Sequence, residues 1–397
     1  MVKINMDMIQ TIGLAVILLL IGMKLRKKIK FFEKYCIPAP VIGGFLFSIF
    51  VFILRQTNVA EIKFTDTLQK FFMVMFFTSV GFNASLKVLK KGGKKVLIFL
   101  FVAAGLCILQ NAVAVGLSKF VGLPPLLALM TGSTPMTGGH GTSAVFAVPL
   151  ENLGLSAANT ITLAAATFGL VAGSLTGGPL GRYLVEKSIK NNKVNYSQKA
   201  NIDINEETEN KLSAKGFEQA IFLLLLAMAL GTMISVLLGK TGLTFPASVG
   251  GMLASAFIVN IKNFDKLYPI KHSEIHIFGE VSLAIFLSMS MMKLKLWQII
   301  DLAGPMLILL FAQVILIIIF IIFIAFPVMG KDYEAAVTCS GFCGYGLGAV
   351  PTGIANMDTL TEKYYPAPES FFIVPLVGSL FINIVNTFMI TFFMNIV

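Results

Sequence analysis

Charge is scarce in this sequence. Only 13% of its 397 residues are Asp, Glu, Lys or Arg, and 56% are hydrophobic, whereas a soluble globular domain carries about 25% charged residues. The mean hydropathy is +0.84. These values exclude a soluble protein. Histidine occurs three times and tryptophan once, and the four cysteines (Cys36, Cys107, Cys339, Cys343) form no C-x-x-C pair and have no histidines at zinc-finger spacing. No chemistry is assigned to them. The apolar segments also lack paired carboxylates, a metal-ligand cluster and a Ser-His-Asp set, which argues against a membrane enzyme. Basic residues outnumber acidic ones, 31 to 20, but they sit in short clusters without interleaved aromatics. No nucleic-acid partner is expected.

What the chain has in abundance is apolar runs long enough to cross a hydrocarbon core of about 30 Å. They predict helices near residues 8 to 23, 37 to 54, 68 to 86, 96 to 118, 157 to 181, 217 to 239, 243 to 260, 277 to 292, 303 to 327 and 370 to 393. The first run is followed by Lys24, Arg26, Lys27 and Lys28 rather than a small-residue cleavage site, so a retained helix is expected there. Two further apolar stretches, about 126–150 and 335–357, are broken by glycine and proline as no simple spanning helix is. They predict re-entrant hairpins.

If both stretches return to the side they came from, with the amino terminus outside, eight of the 31 basic residues face outward: Lys3, Arg55, Lys63, Lys70, Lys119, Lys240, Lys293 and Lys295. The remainder lie inside. Letting the first stretch cross would turn the clusters Arg182 to Lys215 and Lys262 to Lys271 outward, against the positive-inside rule. Both termini are therefore expected on the extracytoplasmic side, with the first hairpin entering from outside and the second from inside. Arg182 is read as an anchor at the cytoplasmic end of the fifth helix.

The chain repeats itself. Pro38-Ala39-Pro40-Val41-Ile42-Gly43-Gly44 is echoed by Phe245-Pro246-Ala247-Ser248-Val249-Gly250-Gly251, and Gly173-Ser174-Leu175 by Gly378-Ser379-Leu380, each about half the chain away. Gly132 and Gly341 also correspond. The expected fold class is an all-α polytopic membrane protein with two inverted-topology repeats, each of five transmembrane helices and one re-entrant hairpin. The expected domains are an N-terminal repeat, 1–190, a polar cytoplasmic linker, 191–215, and a C-terminal repeat, 216–397. An odd number of spans per half forces opposite orientations, as in many secondary transporters, whose ligand sites form where interrupted elements meet near the midplane.

Non-helical backbone at membrane depth is tolerated only where protein or a water-filled cavity surrounds it. Free N–H groups and half-helix N-termini favour carboxylates; exposed carbonyls and hydroxyls suit a hard cation such as sodium. The hairpin tips therefore supply the substrate candidates: Ser133, Thr134, Thr137, Gly138, Gly139, His140, Gly141 and Thr142 in the first, and Gly344, Tyr345, Gly346, Gly348 and Thr352 in the second. Sodium-site candidates are the intramembrane polar residues Thr78, Ser79, Asn83, Asn111, Ser340 and Asn386. Gln110, Gln313 and Asn383 are further lone amides, which interhelical hydrogen bonding explains. Gly173, Gly177 and Gly178 are read as close-packing positions. His272 and His276, near Glu274 and Glu280, are expected to line the aqueous entry of the eighth helix.

Thr137-Gly138-Gly139-His140-Gly141-Thr142, Ala165-Ala166-Thr167-Phe168-Gly169-Leu170-Val171, Gly177-Gly178-Pro179, Met292-Lys293-Leu294-Lys295-Leu296-Trp297 and Gly344-Tyr345-Gly346-Leu347-Gly348-Ala349 occur in that order. In this the chain resembles the bacterial sodium/glutamate symporter family, from about the first helix to the tenth. The resemblance implies alternating-access uptake of L-glutamate coupled to sodium at the bacterial inner membrane, no enzymatic activity and no cofactor beyond sodium as coupling ion. It also implies a homodimer in which a substrate-carrying part moves against a scaffold. One departure is Glu280, where an amide is expected. The alternatives are a sodium-coupled transporter of a di- or 2-hydroxycarboxylate, and a passive channel.

Overall fold

The computed structural model describes residues 2–190, 212–240, 246–262, 264–298 and 302–397. Most of the polar linker, together with Phe245 and the expected start of the seventh helix at 243, lies outside the described residues. Among the described residues, eight helices are apolar and long enough to cross a bilayer. They are α1 (Met8–Lys28), α2 (Ala39–Gln56), α4 (Gly93–Val121), α7 (Ala158–Lys190), α8 (Ala214–Gly239), α10 (His272–Met291), α11 (Ala303–Met329) and α14 (Pro368–Ile396). Two more expected spans are present but short: α3 (Thr67–Phe82), 16 residues, and α9 (Ala247–Asn260), 14 residues. At 1.5 Å per residue they measure roughly 24 and 21 Å. This is a polytopic all-α membrane protein.

Several helices outrun the apolar windows that announced them. α1 continues through Arg26, Lys27 and Lys28, and α7 continues to Lys190. Long basic side chains at a helix end lay their stems on apolar surface while the charge stays in water, so a helix need not stop where hydropathy falls. The reverse holds for α3, which ends at Phe82 instead of 86, where the turn Asn83–Ser85 begins. A small parallel sheet was not anticipated. β1 (Val2–Met6) pairs with β2 (Ala60–Phe64), Val2 opposite Ala60.

The helices pack in two groups that draw on both halves of the chain. α1, α2, α3, α8, α9 and α10 form one, through close backbone approaches: Gly22 against Ala39, Gly43 against Leu18, Gly231 against Gly250 and Gly251, and Gly81 against Met252. Small residues allow such approaches where lipid offers no hydrophobic drive between helices. α4, α7, α11 and α14 form the other, around the two glycine-rich segments.

The first of these segments contains a short helix, α5 (Pro125–Leu129), a run of turns through Gly138 and then α6 (Gly139–Asn152). Gly139 starts α6 with φ of 63°, a left-handed backbone that glycine adopts at no steric cost. The second consists of α12 (Tyr333–Leu347) and α13 (Val350–Lys363), with a break only at Gly348 and Ala349. The broken tip is thus narrower than the candidates from Gly344 to Thr352 implied, and Gly344, Tyr345 and Gly346, like Ser340, lie on α12. α12 and α13 lie against each other, Gly344 beside Gly353 and Gly341 beside Met357. Single π turns interrupt the neighbouring helices at Ile321–Ala325 and Leu376–Phe381, and Gly378 of the latter faces Val350 and Tyr345.

Candidate functional site

The two broken segments meet. A Cβ added at Gly139 would lie 3.0 Å from the Gly348 carbonyl oxygen, so the start of α6 touches the break before α13. Both α6 and α13 therefore begin at this point; the Gly139 N–H is taken by the Pro135 carbonyl at 3.1 Å, and the N–H groups that follow it in the first turn precede any intrahelical partner. In α13 the first such bond runs from Gly353 N–H to Ala349 O at 3.2 Å. Pro351 carries no N–H, and the Thr352 hydroxyl is buried without a partner. Two helix N-termini beside an unsatisfied hydroxyl make a place suited to a carboxylate.

Four amides from three helices hold the tips. Gln110 of α4 accepts from the Thr137 hydroxyl at 2.8 Å and donates Nε2–H to the Gly346 carbonyl at 2.8 Å, bridging both segments. Gln313 of α11 donates to the Gln110 main-chain carbonyl at 2.9 Å. Asn111 Oδ1 accepts from the Ser133 N–H at 2.8 Å, and Asn386 Nδ2 of α14 donates to the Ser133 carbonyl at 3.0 Å. Ser133 thus has both backbone groups satisfied, its carbonyl accepting also from the Gly138 N–H at 2.9 Å, as a buried turn outside a helix requires.

What these amides do not satisfy is more informative. Asn111 Nδ2, Ser133 Oγ, Thr134 Oγ1 and Asn386 Oδ1 are all buried and unpartnered. Leaving a buried polar group unpaired costs about 1–3 kcal/mol. A cluster of such groups at one turn points to a ligand. Three of them present oxygens, the ligand type of a hard monovalent cation.

The other candidates fall into two sets. His140 is buried, with Nε2 3.0 Å from the Thr167 hydroxyl. Gly138 is wedged between the Thr134 carbonyl and the Thr142 side chain, and Gly141 faces Phe76 and Leu283 of α3 and α10. Tyr345 is buried beside Phe99 and Phe342 with its hydroxyl unpartnered. Gly344 and Gly348 approach α7, at Gly173 and Leu170. All of these lie at or next to the tips.

Thr78, Ser79 and Asn83 do not. The Thr78 and Ser79 hydroxyls donate back to Val74 and Phe76 carbonyls one turn earlier and press on Gly251 and Gly279, while Asn83 caps the end of α3. Ser340 donates to the Gly177 carbonyl at 2.9 Å and joins α12 to α7. Of the three packing glycines, Gly173 and Gly177 meet α12 and α13, whereas Gly178 has nothing within 4 Å. His276 and Glu280 lie exposed on α10, 3.9 Å apart. Sequence reasoning assigned Gln110 and Gln313 only to generic interhelical bonding, because a lone amide in an apolar run gives no sign of which element it faces.

The sodium/glutamate symporter family model matches residues 4–366. The chain belongs to this family. The symporter is 36% identical over 392 residues to the sodium/glutamate symporter of Escherichia coli (strain K12), covering 98% of each chain, and equally similar to that of Shigella flexneri. To the sodium/glutamate symporter of Haemophilus influenzae it is 37% identical over 383 residues, which cover 95% of this chain and 94% of the relative. The family is one of transporters, not enzymes.

Proposed function

We propose that this symporter carries glutamate into the cell on an inward sodium gradient, by alternating access, as a multi-pass protein of the bacterial inner membrane. The observation that carries this is the cluster of unpartnered buried groups at Ser133, Thr134, Asn111 and Asn386, beside the meeting point of two helix N-termini. Sodium takes the oxygens of Ser133, Thr134 and Asn386. The substrate carboxylates take the N-termini of α6 and α13, with Thr352 adding its unpartnered hydroxyl, and the bound cation lies close enough to offset their charge. No lysine or arginine is needed at the centre. The Asn111 amide and the carbonyls of the tips remain as partners for the substrate.

Two inverted repeats, residues 1–190 and 216–397 around a cytoplasmic linker, account for the interleaved packing, since corresponding helices of the halves occupy the same group. In this arrangement the broken segments are re-entrant hairpins entering from opposite sides, and both termini lie outside. The group holding the hairpins moves against the group of α1–α3 and α8–α10, which supplies the homodimer contact. The Gly141 contact with Phe76 and Leu283 lies on the surface that slides.

The test is uptake of radiolabelled L-glutamate into proteoliposomes under an inward sodium gradient, with potassium as the control and malate and citrate as competitors. Accumulation that needs sodium and is competed only weakly by the hydroxy acids is the expected result. Uptake without accumulation against the gradient would indicate a channel instead.

A further inference from the structure

A second polar site lies at the far end of α6. A cavity of about 490 Å³ opens between β2, the ends of α2, α3 and α10, and the last turn of α6. α6 runs from Gly139 at the tips to Asn152 at the cavity, roughly 20 Å at 1.5 Å per residue. Five basic residues line it: Arg55, Lys63, Lys70, Lys293 and Lys295. These are five of the eight on the face assigned to the outside, a face that membrane topology otherwise keeps poor in cations.

Their charges are not cancelled. Lys293 pairs with Asp66 and donates to Gln69 at 2.6 Å, and burial lowers its pKa from the ordinary lysine value while Asp66 opposes the shift. Glu151 of α6 faces Lys295. Arg55, Lys63 and Lys70 remain against a single further carboxylate, Glu61. Arg55 lies over the ring of Trp297, 4.2 Å from its centre. A cleft lined by one sign of charge concentrates counter-ions at its mouth.

Given the sidedness and the anionic substrate proposed above, we infer that this cavity is an outer reception site that binds small dicarboxylate anions, glutamate among them, before they reach the hairpin tips. Arg55, Lys63 and Lys70 supply the attraction, and Glu151 joins the cavity to the mobile hairpin. Trp297 is the one tryptophan in the chain and sits in the wall, so its fluorescence reports occupancy directly.

The experiment titrates the purified full-length chain in sodium-free buffer at constant ionic strength with L-glutamate, succinate and, as a neutral control, L-glutamine. The expected result is a saturable change in Trp297 emission with glutamate and succinate but not glutamine, lost in Lys63→Gln/Lys70→Gln and kept in Lys119→Gln. In proteoliposomes the same double variant raises KM for glutamate about tenfold, with a much smaller change in kcat. Equal responses to glutamate and glutamine, or a silent Trp297 together with an unchanged KM in the double variant, overturn the inference. Asn111→Ala and Asn386→Ala, which disable the tips, keep the Trp297 response. Should the wild-type chain respond to dicarboxylates yet fail to accumulate glutamate, the reception site stands and the transport proposal falls.

Discussion

Gln110 donates to the Gly346 carbonyl at 2.8 Å, so one side chain of α4 is bonded to the second broken segment while its own amide oxygen holds Thr137 of the first. The two tips are thereby fixed to each other through a residue that belongs to neither.

Replacing Gln110 with alanine leaves the Gly346 carbonyl and the Thr137 hydroxyl without their partner in a dry interior. Each orphaned group costs about 1–3 kcal/mol. The expected outcome is a lowered melting temperature for the purified protein and a glutamate uptake rate reduced by about tenfold or more. Thermal unfolding followed in detergent, alongside uptake, checks both.

The glycines of α7 offer a paired comparison. A Cβ at Gly177 would collide with Asn356 Nδ2, which donates to the Gly173 carbonyl at 3.0 Å, whereas a Cβ at Gly178 meets nothing. Gly177→Ala is expected to destabilise by about 1–3 kcal/mol, as overpacking does. Gly178→Ala should be neutral or slightly stabilising. Melting temperatures of the two variants, measured side by side, decide the matter.

A third prediction concerns the contact between the two helix groups. Gly141 has space for a methyl only if Phe76 and Leu283 give way, since a Cβ would lie 3.1 and 3.2 Å from their rims. Gly141→Leu should therefore slow uptake by about tenfold or more while glutamate binding is reduced much less. Equilibrium binding set against transport rate separates the two effects.

These contacts show where sequence reasoning reached and where it stopped. Spans as apolar as α11, and breaks as rich in glycine as Gly344 to Gly348, are legible because hydropathy and backbone freedom are properties of neighbours in the chain. Thr78 and Ser79 were drawn into the sodium candidates by the same logic, as polar residues in an apolar run. Their hydroxyls are spent on the preceding turn, and their place is against Gly251 and Gly279. Gln110 and Gln313 carry the same local signature, and nothing near them in the chain marks them as the residues that hold the tips. Whether an amide faces lipid, a helix or a tip is decided by packing between residues more than 200 positions apart, which a single sequence does not encode locally. β1 escaped notice because five residues of strand need a partner to be stable, and β2 lies beyond α2.

The central claim is that the oxygens of Ser133, Thr134 and Asn386 form the sodium site at the tips. Asn386→Ala removes the Oδ1 ligand, while the Ser133 carbonyl keeps its bond from the Gly138 N–H at 2.9 Å. The most direct measurement is the sodium concentration that half-activates glutamate uptake in proteoliposomes, wild type against Asn386→Ala, with correct folding shown by a single symmetric elution peak. A rise of about tenfold or more, corresponding to roughly 1.4 kcal/mol of lost sodium affinity, is the predicted result. An unchanged sodium dependence in a folded, transporting variant would contradict the assignment.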